Sequence, residues 1–138
     1  MADLGVNFLA ILVAAIATFA LGALWYSPLL FAKQWVAAHG FTPEKLEAMR
    51  KGAGPAYGVT FLCWLVMAAA LGVLTHRIGV HSALGGLKLG VLCWAGFAAT
   101  VGLSAHVFSE RRLAVFVIDT GYQLVSLLAM GIILALWW

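Results

Sequence analysis

The sequence predicts an all-α protein: an integral membrane bundle of four transmembrane helices, with a short interfacial helical segment between helices 1 and 2. Hydrophobic residues make up 64% of the 138 residues, charged residues make up 9%, and the mean hydropathy is +1.05. A soluble domain carries roughly 25% charged residues, so this chain has too little polar surface to coat a soluble globule. The apolar residues form long runs and do not alternate with period 2, which argues against a transmembrane barrel.

Four apolar segments are long enough to cross a bilayer, which requires about 20 helical residues. They are predicted at residues 5–26, 55–75, 83–105 and 113–138, within a single transmembrane domain that covers residues 1–138. The first two segments are uncharged, the third contains Lys88, and the fourth contains Asp119. Backbone polar groups in lipid must be satisfied within the segment, so all four are predicted to be helices.

The connection between the first two spans, about residues 28–51, predicts a cytoplasmic amphipathic segment. Ser27 followed by Pro28 is typical of a helix cap and a first helical residue, and the apolar side of that helix, with Trp35, suits a membrane surface. Thr42 followed by proline predicts a second short helix in the same way.

Positive charge is distributed unevenly between the loops. The first and third loops contain six of the eight Lys and Arg residues: Lys33, Lys45, Arg50, Lys51, Arg111 and Arg112. The opposite side has Arg77, and Lys88 if its side chain extends outward. Because positively charged loops stay in the cytoplasm, we expect a multi-pass protein of the bacterial cytoplasmic (inner) membrane with both termini in the periplasm.

Asp119 is the polar residue that most requires an explanation. It lies six residues inside the fourth span, about 9 Å deep at 1.5 Å per residue, where an ionised side chain is costly. Tyr122 and Gln123 follow at i+3 and i+4, so the three side chains are predicted to share one face of the helix. Such a face is expected to avoid lipid and to point into the bundle.

The topology brings further polar and aromatic residues to the same cytoplasmic level. The predicted polar site comprises Trp25, Tyr26, His106, Glu110, Asp119, Tyr122 and Gln123. One interpretation is a helix-locking network in which Asp119 pairs with His106 or with an arginine. The other is a small polar pocket or a proton-handling site.

A second set of polar residues is predicted at the outer face: Asn7, His76, His81 and Lys88. Interface anchoring explains them, and Trp137 and Trp138 are typical of an aromatic belt. Two nearby histidines fall short of the three or four ligands that zinc uses, and the two cysteines lie inside apolar runs, so no metal site is predicted.

The sequence contains no Walker loop, HExxH, CxxC or nucleophile elbow, so no catalytic residue, metal or cofactor is assigned and an enzyme is not favoured. It also lacks a basic stripe with interleaved aromatic residues, so nucleic acid is not an expected partner. The expected partners are the lipid bilayer and a second copy or another membrane protein, and any small-molecule ligand is left unassigned.

Four segments of the chain resemble a known bacterial membrane family, called domain of unknown function 1761. They are NFLAILVAAIATFALGALWYSPLLFAKQW, WAGF, HVFSERR and DTGYQLVSLLAMGIILALW. The resemblance covers nearly the whole chain and implies a small four-span membrane protein, without an assigned activity. It also implies that the following residues occupy the family's motif positions: Asn7, Trp25, Tyr26, Ser27, Pro28, His106, Glu110, Tyr122 and Gln123.

Two functional classes follow from these observations. The short loops, the small-residue faces and the absence of a catalytic motif favour a structural or interaction protein, such as a component of a membrane oligomer. The alternative is a protein that binds or transports a small molecule or protons through a polar site at the cytoplasmic side of the bundle. A solvent-reachable cavity beside Asp119 distinguishes the second class from the first.

Overall fold

The computed structural model describes residues 7–137, and all regular structure in that range is helical. Four stretches are long and apolar enough to cross a membrane, as the fold class predicted. Gly5, Val6 and Trp138 of the predicted spans lie outside the described residues. In chain order the helices are α1 (Phe8–Trp25), α2 (Ala32–His39), α3 (Pro43–Lys51), α4 (Ala53–Ile78), α5 (Ala83–Cys93), a π-helical turn (Trp94–Ala98), α6 (Ala99–His106) and α7 (Leu113–Trp137). The third span, Ala83–His106, comprises α5, the π-helical turn and α6.

The segment between α1 and α2 differs from the sequence-based expectation. Ser27 does not cap a helix that begins at Pro28, since α2 begins four residues later, at Ala32. The Ser27 hydroxyl donates instead to the Leu24 carbonyl at 2.6 Å. The Ser27 carbonyl accepts from the amide of Ala32 at 3.1 Å, which closes a compact turn. Because Ser27 is bonded to the preceding helix, the chain folds back sharply before α2 begins. The second predicted cap is confirmed: Thr42 accepts from the backbone of Lys45 and precedes α3.

The fourth span, α7, is the central helix of the bundle. It packs against α1, α4, α5, α6 and α2, and it contributes more buried residues than any other helix. Met130 and Leu134 of α7 are fully buried, together with Ala10 and Ala14 of α1 and Ala68 of α4. The small residues let the backbones approach closely, which is how helices associate in lipid.

The third span meets α7 through glycine. A Cβ added at Gly86 would collide with the carbonyl group of Gly131, and one added at Gly90 would lie 2.7 Å from the Leu127 carbonyl oxygen. The neighbours are backbone atoms of α7, which cannot rotate away. Gly86 and Gly90 are therefore required for the closest helix contact in the bundle.

The four spans do not close into a symmetric bundle. Among the described residues, α4, α5 and α6 each pack against α7, but neither α5 nor α6 packs closely against α4. A groove of about 810 Å³ lies between α4 and the third span. Its walls are apolar and include Val66, Met67, Phe97 and Val101, with Leu127 of α7 at its base.

The two ends of the described chain meet on one side of the bundle. Asn7 accepts from the Ala10 amide and caps α1, and its Nδ2 donates to the Trp137 carbonyl at 3.1 Å. The opposite side contains the turns around α2 and the loop Val107–Arg112. We call this opposite side the basic face, since it contains the six lysine and arginine residues named above.

Candidate functional site: an aromatic cluster and a polar cavity at the basic face

Near the basic face, α1 and α7 each present a glycine to an aromatic ring of the other helix. The Tyr122 hydroxyl lies so close to Gly22 that a Cβ there would be 2.7 Å away, and the Trp25 ring lies 3.1 Å from a Cβ built at Gly121. These reciprocal contacts place the end of α1 directly against the first turns of α7. Trp25 and Tyr26 therefore face the protein interior and do not act as anchors in lipid.

Backbone carbonyls of α1 and α7 accept the polar hydrogens of this aromatic cluster. Trp25 Nε1 donates to the Ile118 carbonyl at 2.9 Å, and Trp94 Nε1 donates to the Thr120 carbonyl at the same distance. The Tyr122 hydroxyl donates to the carbonyl of Thr18 at 2.7 Å. Buried indole and phenol groups need such partners. These hydrogen bonds therefore hold α1, the third span and α7 together near the basic face.

The Asp119 carboxylate uses only one of its two oxygens in this network. Tyr26 Oη donates to Oδ1 at 2.6 Å, and Trp35 Nε1 donates to the same atom at 3.2 Å. Within residues 7–137, Oδ2 accepts no hydrogen bond, and it is not sealed from solvent. Asp119 also forms no ion pair with any described residue. The predicted pairing of Asp119 with His106 or an arginine is therefore wrong, since its hydrogen-bond partners are the neutral side chains of Tyr26 and Trp35.

Tyr26 is held as a neutral donor. Burial raises the pKa of its hydroxyl far above the ordinary value, and the hydrogen bond to Asp119 raises it further. The neutral phenol is therefore favoured, and its hydroxyl donates to Asp119 Oδ1.

A cavity of about 180 Å³ lies between α6 and α7 on the other side of Asp119. Its lining includes Asp119 and Gln123 from α7 and His106 from α6, and the exposed residues Ser109 and Arg111 lie at its rim. Gln123 Oε1 is buried and has no hydrogen-bond partner within residues 7–137. The remaining lining residues are Gly102, Ala105, Val115, Phe116 and Thr120.

The loop Val107–Arg112 shapes the rim of the cavity. Ser109 Oγ donates to the His106 carbonyl at 2.8 Å and accepts from the Arg111 amide at 3.3 Å. Glu110 has a φ of 58°, in the left-handed region that few residues other than glycine adopt. Glu110 is exposed and is not part of the cavity lining, although it was predicted near Asp119. The loop thus directs Arg111 to the cavity and Glu110 toward solvent.

His39, at the end of α2, lies beside this site. Its ring stacks on Phe41 with centroids 4.6 Å apart, and it packs against Trp35 at 4.3 Å. Its Nε2 is buried and has no hydrogen-bond partner among the described residues. Burial lowers the pKa of His39, and the nearby positive charge of Arg111 lowers it further, against the opposite effect of Asp119. The neutral imidazole is therefore favoured in the folded protein.

The structure divides the predicted polar residues into two groups. Asp119, Gln123 and His106 line the cavity, whereas Tyr122 points toward α1 and joins Trp25 and Tyr26 in the aromatic cluster. Gln123 therefore shares the cavity with Asp119, as predicted, whereas Tyr122 faces α1. Their sequence spacing sets them on one side of α7, but they contact different helices.

Sequence analysis missed Trp35, Trp94 and His39 as members of this neighbourhood. Trp35 was assigned to the membrane surface, but its indole reaches Asp119 because the turn after α1 folds α2 back onto α7. A signal was available, since an indole N–H at membrane depth needs an acceptor and Asp119 is the acidic residue of the spans.

The residues predicted at the outer face remain apart from this site. Asn7 caps α1 and bonds to Trp137, and His76, His81 and Lys88 are exposed at the opposite end of the bundle from the cavity. Within residues 7–137, no three His, Cys, Asp or Glu side chains come together in a group that could hold a metal ion.

Comparison with protein-family models gives a match that covers nearly the whole chain. The chain matches, over residues 9–135, the family described as "Protein of unknown function (DUF1761)". Searches of the curated proteins and of the solved structures found no match to this chain. The match includes the aromatic cluster and the cavity, so both features lie within the part of the chain that the family describes.

Proposed function

The chain belongs to the DUF1761 family, as its resemblance implied, and from that premise we propose that it binds a small polar molecule in the cavity beside Asp119. The observation that carries the proposal is that only one oxygen of the Asp119 carboxylate accepts hydrogen bonds from the described residues. Oδ1 is occupied by Tyr26 and Trp35, while Oδ2 and Gln123 Oε1 have no partner among residues 7–137. A purely structural aspartate would be expected to use both oxygens.

The energetic argument concerns the location of Asp119 within a membrane span. An ionised group in a span costs about 2.5–3.5 kcal/mol at the helix centre, so such residues face a cavity or a partner and mark functional sites. Two hydrogen bonds from neutral donors offset part of that cost without neutralising the charge. The negative charge stays available to a ligand that enters past Ser109 and Arg111.

We further propose that the cavity opens to the cytoplasm of a bacterium, from the inner membrane. Support comes from the positive charges of the basic face, since loops rich in lysine and arginine stay in the cytoplasm. Both ends of the chain would then face the periplasm.

The binding function is tested by filling the cavity. We expect Gly102→Leu to abolish the binding of small polar probes, because a Cβ at Gly102 already lies 3.3 Å from the Phe116 ring and 3.6 Å from Thr120 Oγ1. The probes are propylammonium, propionate and propionamide, and binding is measured by ligand-observed NMR with the purified full chain in lipid nanodiscs.

The matched control for this experiment is Gly96→Leu, on the same span, where an added Cβ meets no atom within 4 Å. It should bind the probes as the wild-type protein does. If none of the three probes binds the wild-type protein, or if both variants bind equally, the proposed function is wrong.

A second candidate function, a component of a membrane oligomer, is favoured by the apolar groove between α4 and the third span. The groove shares no lining residue with the polar cavity, so the two functions are compatible. In this candidate function, a second copy of the chain covers the groove. A monodisperse monomer in mild detergent without a copurifying partner contradicts this candidate.

A further inference from the structure

We infer that the molecule bound beside Asp119 is a small primary ammonium ion. This inference rests on the proposed function and specifies the chemical class of its ligand. It follows from which polar atoms remain unsatisfied in the cavity, from their charge, and from the size of the space.

The cavity lining contains a hydrogen-bond acceptor that is open to solvent and unused. Asp119 Oδ2 accepts no hydrogen bond within residues 7–137 and is not sealed from solvent. The Ser109 hydroxyl, at the rim, already donates to the His106 carbonyl. An ammonium group has three donors and no acceptor, which matches this arrangement.

Charge favours the same ligand class. Asp119 lies in a membrane span, and no described residue forms an ion pair with it. Electrostatic attraction is stronger at such a site than in water, because the surrounding medium is less polar. A cation therefore gains more there than a neutral donor, and an anion is repelled. The Phe116 ring in the lining adds a surface on which an ammonium or its alkyl chain can rest.

The size of the cavity and its protein ligands suit a short alkylammonium ion better than a transition metal ion. The cavity of about 180 Å³ corresponds to roughly six water molecules at about 30 Å³ each, which suits a chain of a few carbon atoms. A transition metal ion usually requires three or four protein ligands, and the described residues offer no group of three His, Cys, Asp or Glu side chains.

Arg111 at the rim should weaken the binding of an ammonium ion. Arg111 belongs to the cavity lining, and its side chain forms no ion pair with any described residue. Replacing it with a neutral residue removes a like charge from the entrance. Arg111→Gln is therefore expected to tighten the binding of a simple alkylammonium ion, whereas it would weaken the binding of an anion.

The experiment compares the affinities of propylammonium, propionate and propionamide for the purified full chain in nanodiscs. We expect propylammonium to bind at least about tenfold more tightly than propionamide, because hydrogen bonds to a charged group are about twice as strong as neutral ones, and we expect no binding of propionate. Asp119→Asn should remove the preference for propylammonium, and Arg111→Gln should strengthen its binding by a few-fold.

The outcomes separate this inference from the proposed function. If propionate or propionamide binds more tightly than propylammonium and Gly102→Leu abolishes that binding, the cavity is a binding site but the ammonium inference is wrong. If no probe binds, both proposals are wrong. Should Asp119→Asn fail to fold, the opposite effects of Arg111→Gln on the propylammonium and propionate affinities still decide the ligand charge.

Discussion

Gly86→Ala is expected to lower the thermal stability of the folded bundle by far more than a single methyl group normally does. The added Cβ would overlap the carbonyl group of Gly131, on the neighbouring α7. Because backbone atoms of α7 occupy the space, the third span must shift away from α7 as a whole. Overpacking of this kind costs about 1–3 kcal/mol and occasionally more. The midpoint of thermal unfolding, followed by circular dichroism in detergent, measures the effect.

The matched control is Gly58→Ala on α4, where an added Cβ meets no atom within 4 Å. Removing a glycine from a helix usually favours the helix by up to about 1 kcal/mol, so the unfolding midpoint should stay the same or rise slightly. Equal midpoints for the two variants would contradict the close contact between the third span and α7.

Asp119→Ala is expected to detach α2 from the bundle while the four spans stay folded. The change removes the acceptor that Tyr26 and Trp35 share, and leaves both donors without a partner. A hydrogen bond to a charged group contributes about 1.5–3 kcal/mol, so a total loss of about 3 kcal/mol is a cautious expectation. That loss corresponds to roughly 100-fold faster hydrogen exchange for the backbone amides of α2.

Two variants provide the comparison. Asp119→Asn keeps an acceptor oxygen without the charge, so the exchange of α2 should increase by less. Val117→Ala changes an exposed side chain, 57% accessible, two residues earlier on α7 and should leave α2 unchanged. If hydrogen exchange in α2 is the same in Asp119→Ala as in the wild-type protein, Asp119 does not hold α2 in place.

The spans could be predicted from the sequence because each is a long apolar run, and such runs do not depend on tertiary contacts. The end of α4 was predicted less accurately. The predicted span ends at Thr75, whereas the helix continues to Ile78 and is capped by Gly79, whose φ of +81° favours glycine. The π-helical turn Trp94–Ala98 was not predicted at all. Trp94, its first residue, bonds to the Thr120 carbonyl of α7, a tertiary contact that hydrophobic periodicity cannot reveal.

The end of the bundle at which the site lies could also be predicted, but the contacts between its residues could not. Topology alone places Trp25, Tyr26, His106 and Asp119 near the same membrane face. The partners of Asp119 depend on the turn after α1, which returns Trp35 to α7. Sequence reasoning favoured a charged partner because opposite charges are the usual solution for a carboxylate in a span. The structure uses a phenol and an indole instead.

The central claim, that Asp119 and Gln123 face a cavity open to water at the basic face, is tested most directly by cysteine labelling. Gln123→Cys is made in a Cys63→Ala, Cys93→Ala background and exposed in vesicles to a charged, membrane-impermeant methanethiosulfonate reagent. Leu92→Cys, at a position 65% exposed on the third span and in the lining of neither the groove nor the cavity, is the control for a lipid-facing thiol. We predict rapid modification of Gln123→Cys from the basic face only, and little of Leu92→Cys. Modification of Gln123→Cys no faster than the control, or only from the opposite face, would contradict the account.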